Sequence, residues 1–185
     1  LNKEVLDSIL VKELPLLNNE KIDEIKREIL NARQNGDSVG GAIECSLIGI
    51  NPGIGNPFFD SLESVIAHLA FSVPAVKGIE FGLGFDFAKE NASKVNDEYY
   101  IENGKIRTYT NNNGGIVGGI TNGMPVVFRV AIKPTPSISK EQRTVNIKTM
   151  EEGILKIEGR HDPCIVQRAV VVIEAIAALA VLELL

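Results

Sequence analysis

The sequence predicts an α+β fold with mixed and antiparallel sheets packed by helices, and three observations carry that reading. Helical and extended patterns intermix without a regular strand–helix–strand rhythm, Asn103-Gly104 separates two β-prone runs, and residues 125–133 alternate in polarity. Asn-Gly between extended runs marks a two-residue hairpin, which is antiparallel by construction. A doubly wound parallel sheet would need the alternation that is missing here. With 185 residues, 44% apolar and 23% charged, the chain has enough material for a core and is too apolar for wholesale disorder.

The spacing of Ile22, Ile25, Ile29 and Leu30 predicts a helix from about Glu20 to Gln34, started by Asn18 or Asn19 and closed by Gly36. Gly40 to Ile50 reads as a strand with Ile43, Cys45 and Leu47 on one face, followed by a Gly/Pro loop from Asn51 to Pro57. Asp60 followed by Glu63 resembles a capping box and predicts a second helix carrying Leu62, Val65, Ile66 and Leu69. Pro74 ends it, and a strand follows from Val76 to Phe81. Tyr99-Tyr100-Ile101 and Ile106-Arg107-Thr108 flank the Asn-Gly turn. In the alternating strand Val126, Phe128, Val130 and Ile132 share one face. A second hairpin is predicted between Thr144–Thr149 and Ile154–Glu158, and a last helix from Pro163. Ile165 to Leu185 is nearly continuous in apolar residues, but Gln167, Arg168, Glu174 and Glu183 interrupt it. A mid-span charge costs about 2.5–3.5 kcal/mol even on lenient insertion scales, so this reads as a buried helix and not a membrane span.

Composition narrows the function. Nineteen basic against 24 acidic residues leave a net charge of −5, which disfavours non-specific nucleic-acid binding. Two cysteines, Cys45 and Cys164, make no disulfide framework and fit a reducing compartment. The first residues lack a signal-peptide apolar region, and the start at Leu1 rather than Met is expected of a chain cut from something longer or processed. Two histidines and two cysteines, scattered, indicate no zinc site; His68 reads as a core or boundary residue of the second helix. Ser46, Ser64 and Ser72 lack the G-x-S-x-G setting of a serine hydrolase.

Three loops are candidates for chemistry. Residues 110–120 (TNNNGGIVGGI) hold two Gly-Gly pairs, which serve either a tight turn or a backbone cradle for a phosphate or ring edge. Lys133-Pro134-Thr135-Pro136-Ser137-Ile138 leaves a strand with a lysine, two hydroxyls and two stiffening prolines, which suits a phosphate or carboxylate and equally an ordinary strand exit. In Gly159-Arg160-His161-Asp162-Pro163-Cys164, Asp162 and Pro163 are expected to be the cap and first position of the last helix, and an aspartate so placed suits a proton acceptor.

Together these loops resemble the C-terminal half of chorismate synthase. The resemblance rests on Gly36-Asp37-Ser38-Val39-Gly40-Gly41, Pro74-Ala75-Val76-Lys77-Gly78, residues 113–123 (NGGIVGGITNG), Lys133 to Ile138, and Arg160-His161-Asp162-Pro163-Cys164, in the family's order. It implies an anti-1,4-elimination of phosphate from 5-enolpyruvylshikimate-3-phosphate to give chorismate, in the shikimate pathway of aromatic amino acid biosynthesis. It also implies reduced FMN as cofactor, a connection to NADP, a β-α-β sandwich core and a cytoplasmic homotetramer without nucleic-acid or membrane partners. Carried over by position, flavin contacts fall on Pro74, Ala75, Gly118, Lys133, Pro134, Thr135, Pro136, Ser137 and Arg160, and the proton-transfer aspartate falls on Asp162. Many members have Asn in place of Pro74 and Ala in place of Asn113, so the added amide at Asn113 leaves the packing of its loop open. Family members are about twice this length. Their N-terminal half carries a Gly-Glu-Ser-His-Gly type motif and an Arg/Ser/Gly-rich segment, with two acid histidines and several substrate-binding arginines, and this sequence contains none of these. Residues 1–185 are therefore expected to be the C-terminal portion of a single domain, inactive alone. The competing expectation is a non-catalytic anion- or nucleotide-binding module that oligomerises through the long apolar last helix.

Overall fold

A computed structural model describes residues 3–10, 12 and 14–185. Its centre is a three-stranded antiparallel sheet of β1 (Gly41–Leu47), β2 (Val76–Phe81) and β7 (Val126–Ile132), with β7 in the middle. Gly41 pairs with Ile132 and Leu47 with Val126; on the other side Val76 pairs with Ile132 and Phe81 with Phe128, across a bulge between Val76 and Gly78. β1 and β2 therefore run parallel to each other with β7 inserted between them, a split strand–helix–strand unit connected by α3 (Leu62–Ser72).

The predicted alternation of β7 holds throughout: Val126, Phe128, Val130 and Ile132 are all buried. α3 and the last helix, α5 (Val166–Glu183), cover that face, contributing Leu62, Ile66, Ala70, Ile173, Ala177 and Ala180 to one core. Burial of such side chains contributes roughly 1.5–3 kcal/mol each, so this layer is the main source of stability. The opposite face of the sheet is polar, and Arg129 on β7 bridges Glu80 on β2 at 2.7 Å.

The remaining strands form satellite hairpins: β3 (Tyr99–Glu102) with β4 (Lys105–Thr108), β5 (Ile116–Val117) with β6 (Ile120–Thr121), and β8 (Gln142–Asn146) with β9 (Glu151–Leu155). The first turns at Asn103-Gly104, both at positive φ, as predicted. The third is the predicted second hairpin, shifted by a few residues. α2 (Ile22–Gln34) follows a 3-10 turn at Asn19–Lys21 that Asn18 caps, and Gly36 closes it at a φ of 64°. Two short helices, α1 (Lys3–Leu10) and α4 (Ala92–Val95), and a 3-10 segment at Gly84–Lys89 were not foreseen.

Three expectations are corrected. α3 is capped by Ser61, whose hydroxyl accepts from Ser64 N–H at 3.1 Å, because Asp60 is held in a two-way backbone bridge with Asn56. α5 starts at Val166 and not at Pro163, with no side-chain cap. His68 is exposed, beside a groove between α3 and α5 lined also by Phe59, Leu69 and Leu179. Among the described residues no helix is long and apolar enough to cross a membrane, and α5 buries one face only.

Candidate functional site

Distant stretches of sequence meet where β7 leaves the sheet. Lys133 N–H donates to Ala75 O at 2.9 Å, so the turn that feeds β2 abuts the residue that exits β7. Ser38 Oγ donates to Thr135 O at 2.6 Å, tying the segment before β1 to the same exit. Gly40 lies so close that an added Cβ would run into Ile132 O and stand 3.0 Å from Pro134 Cδ. Val39 N–H donates to Pro163 O at 2.8 Å, which draws in the loop that leads to α5. The structure thus brings together Pro74, Ala75, Lys133, Pro134, Thr135, Pro136, Ser137 and Asp162, all predicted from sequence.

This end of the sheet keeps polar groups unspent. Lys133 is exposed and forms no ion pair or side-chain hydrogen bond among the described residues; the exposed Arg160, two residues before Asp162, forms none either, and no contact ties it to the Lys133 end. Thr135 Oγ1 is buried and has no partner. An orphaned buried hydroxyl costs on the order of 1–3 kcal/mol, which a ligand oxygen would recover. Ala75 sits at a φ of 74°, a left-handed conformation that costs a non-glycine residue about 1 kcal/mol or more and is held by its bond to Lys133. An unpaired cation and an unpartnered hydroxyl two residues apart stand beside the Ala75 turn, donors that suit a phosphate-bearing cofactor.

Asp162 is not the helix cap that the sequence predicts. Its Oδ1 accepts from Cys164 N–H at 3.0 Å, closing a local turn, and its Oδ2 lies 2.6 Å from Arg168 Nη2. With Pro163 O committed to Val39, the chain bends here before the helix can begin. Nearby, Lys140 pairs with Asp37 at 2.6 Å; that hydrogen bond, with the Ser38 N–H, holds the Asp37 carboxyl below its usual range.

Gly118 lies elsewhere. Gly118 and Gly119, at φ of 63° and 85°, form the two-residue turn between β5 and β6. Gly119 O accepts from Leu62 N–H at the start of α3, and Gly114 O accepts from Val127 N–H where β7 enters the sheet. That end is separated from the Lys133 end by β7, about 20 Å for seven extended residues. Within this chain the structure does not join Gly118 to the other candidates.

Sequence reasoning missed the residue that organises this second end. Asp97 is only 8% exposed and accepts four hydrogen bonds: Thr110 Oγ1 and Asn112 N–H on Oδ1, both at 2.7 Å, and Asn113 N–H and Nδ2 on Oδ2 at 2.9 and 2.8 Å. Burial pushes its carboxyl up, but these bonds outweigh it and leave the carboxyl below its ordinary value. The added amide of Asn113 is thereby satisfied. The signal was available in the hairpin: with Tyr99 opposite Thr108, two further steps place Asp97 opposite Thr110.

Comparison with known proteins identifies the family. The family model described as chorismate synthase matches residues 4–185. The chorismate synthase of Methanobrevibacter smithii is 50% identical over 155 residues, covering 84% of this chain and 43% of that protein. The enzyme of Pyrococcus abyssi is 48% identical over 174 residues, covering 94% and 49%. A solved structure, a crystal structure of chorismate synthase, superposes with a TM-score of 0.77 at 32% identity, covering 96% of this chain and 46% of the other. The chain spans about half the length of the curated relatives it matches. On the family-wide match and the identity together, the chain belongs to the chorismate synthase family.

Proposed function

We propose that this chain is the C-terminal portion of a chorismate synthase, and that the exit end of β7 forms its part of a flavin and substrate pocket. The observation that carries the proposal is the convergence there of the unpaired Lys133, the orphaned Thr135 hydroxyl and Asp162, the residues the family resemblance singles out. The reaction is the loss of phosphate and a ring proton from 5-enolpyruvylshikimate-3-phosphate by anti-1,4-elimination. Such a reaction needs cations around the departing anion and an acceptor for the proton.

Lys133 and Arg160 supply fixed positive charge, and Thr135 donates its hydroxyl to a phosphoryl or carbonyl oxygen. Pro74 and Ala75 offer flavin contacts from backbone that the Lys133 N–H holds in place, while Pro134 and Pro136 keep the Thr135 and Ser137 segment stiff. Asp162, anchored by Cys164 N–H, holds or takes the proton. Reduced FMN, when bound, supplies a transient electron and assists proton removal without net redox change. Gly118 is proposed as a further flavin contact on the family resemblance alone. The histidines and arginines of the family's other half are not in this sequence, so the 185-residue chain is inactive alone; in the intact protein the assembly is a cytoplasmic homotetramer.

In a full-length enzyme carrying this half, Asp162→Ala lowers turnover about a hundredfold or more, and unchanged turnover removes Asp162 from the proton-transfer role. Steady chorismate production by the purified 185-residue chain would overturn its inactivity. Titration with oxidised and reduced FMN, with and without the shikimate phosphate, separates the enzyme from a bare anion-binding module: flavin affinity indifferent to substrate favours the module.

A further inference from the structure

We propose that Arg168 is the positioning residue for Asp162. The inference rests on the reading of Asp162 as the proton-transfer carboxylate. The two Asp162 oxygens are held from different frames. Oδ1 is held by Cys164 N–H at 3.0 Å, in the loop that Val39 ties to the sheet, and Oδ2 by Arg168 Nη2 at 2.6 Å, from the first turn of α5. One contact leaves a carboxylate free to rotate about its Cβ–Cγ bond; two contacts on separate oxygens fix its plane. An ionised carboxylate offers about four acceptor positions, and two remain open on its half-exposed side, so it is held and still able to accept a proton.

Stability gives Arg168 little reason to be where it is. A cation in the first turn of a helix opposes the helix dipole, and no acidic residue of that turn offsets it. The Arg168 side chain is 73% exposed and that of Asp162 35%, and exposed ion pairs add little to folding. Orientation is what the pair provides, through a planar donor that a lysine reproduces only in part.

The test uses a full-length, flavin-loaded enzyme carrying this half, with Asp162→Asn, Arg168→Ala, Arg168→Lys and the Asp162→Asn/Arg168→Ala double variant. Arg168→Ala is expected to lower kcat about tenfold or more. Flavin affinity, KM and melting temperature stay within error of the parent. Arg168→Lys recovers part of the loss, and Arg168→Ala costs nothing further on the Asp162→Asn background. Wild-type kcat in Arg168→Ala beside an impaired Asp162→Asn overturns this inference alone, as does an equal loss on both backgrounds. An unimpaired Asp162→Asn overturns the reading of Asp162, and this inference with it. Where the alanine variant does not fold, Arg168→Gln, which keeps a donor and loses the charge, is expected to show the same fall in kcat at unchanged KM, and wild-type kcat in it overturns the proposal.

Discussion

The two ends of β7 carry loops of different make-up, glycine and asparagine at the entry, proline, hydroxyls and lysine at the exit, and they use their donors to different extents. At the entry end, Thr110, Asn112 and Asn113 direct four donors inward onto Asp97, and Arg107 Nη1 donates to Gly123 O at 2.7 Å. At the exit end Lys133 stays unpaired and the Thr135 hydroxyl is buried without a partner, whereas at the entry end the unpartnered buried atoms are the Asn111 side-chain carbonyl and the Asn122 side-chain amide nitrogen, with no free cation beside them among the described residues. A loop that turns most of its donors onto one buried carboxylate is a frame, and a loop that leaves a cation and a hydroxyl unpaired is prepared for an external anion. The destination of each hydrogen bond shows which role each loop takes.

The largest expected effect tests the frame. Asp97→Ala leaves three neighbouring residues with unmet donors around a buried position and is expected to cost about 3 kcal/mol, read from the denaturant midpoint. Asn113→Ala removes one donor to the same carboxylate and is expected to cost about 1 kcal/mol. Because the Asp97 carboxyl is held below its ordinary value, its contribution is complete above about pH 4 and fades as pH falls through the depressed folded-state value. The acid-induced loss of stability is therefore shallower in Asp97→Ala than in the parent. An Asp97→Ala chain as stable as the parent would reduce the entry loop to ordinary surface.

Much of the fold was legible because it is local. The β7 alternation, the Asn103-Gly104 turn and the Ile22, Ile25, Ile29 spacing each follow from neighbours in sequence. What misled was long-range competition. Asp60 satisfies every rule for a cap, but its backbone is engaged by Asn56 and the cap passes to Ser61. Asp162-Pro163 reads as a helix start, but Val39 takes the Pro163 carbonyl and Arg168 takes the aspartate. At the candidate site, which residues gather was legible through the resemblance. That Gly118 stands apart from Lys133 was not, because seven residues of strand separate the loops only once the register is known.

The exit end gives the next, smaller effects, with opposite signs for stability and binding. Thr135→Val replaces an orphaned hydroxyl by a methyl group of the same shape. Unfolding stability is expected to hold or to rise by up to about 1 kcal/mol, because an unmet buried donor disappears. In a full-length enzyme carrying this half the same change weakens flavin binding. Lys133→Ala leaves the melting temperature where it is, since the ammonium is exposed and unpaired, and lowers flavin affinity about tenfold, as loss of one charge-assisted contact should. If Thr135→Val instead destabilises the chain, the hydroxyl has an internal partner and the contrast between the ends weakens.

The smallest effect separates the scaffold of the exit end from its unpaired cation. Lys140 and Asp37 form a short ion pair there, but both side chains are about half exposed, and such a pair is screened by salt and gives back much of its attraction in side-chain entropy. The junction they decorate is already closed by backbone: Ser139 N–H donates to Gly36 O at 2.9 Å, and Asp37 N–H to Ala32 O at the same distance. Lys140→Ala is therefore expected to leave both the melting temperature and flavin affinity unchanged, checked by thermal unfolding at low and high salt and by titration. A loss of flavin affinity in Lys140→Ala alone would mean that the paired lysine, and not only the unpaired Lys133, faces the anion, and the division between spent and unspent groups would then have to be redrawn within the exit end itself.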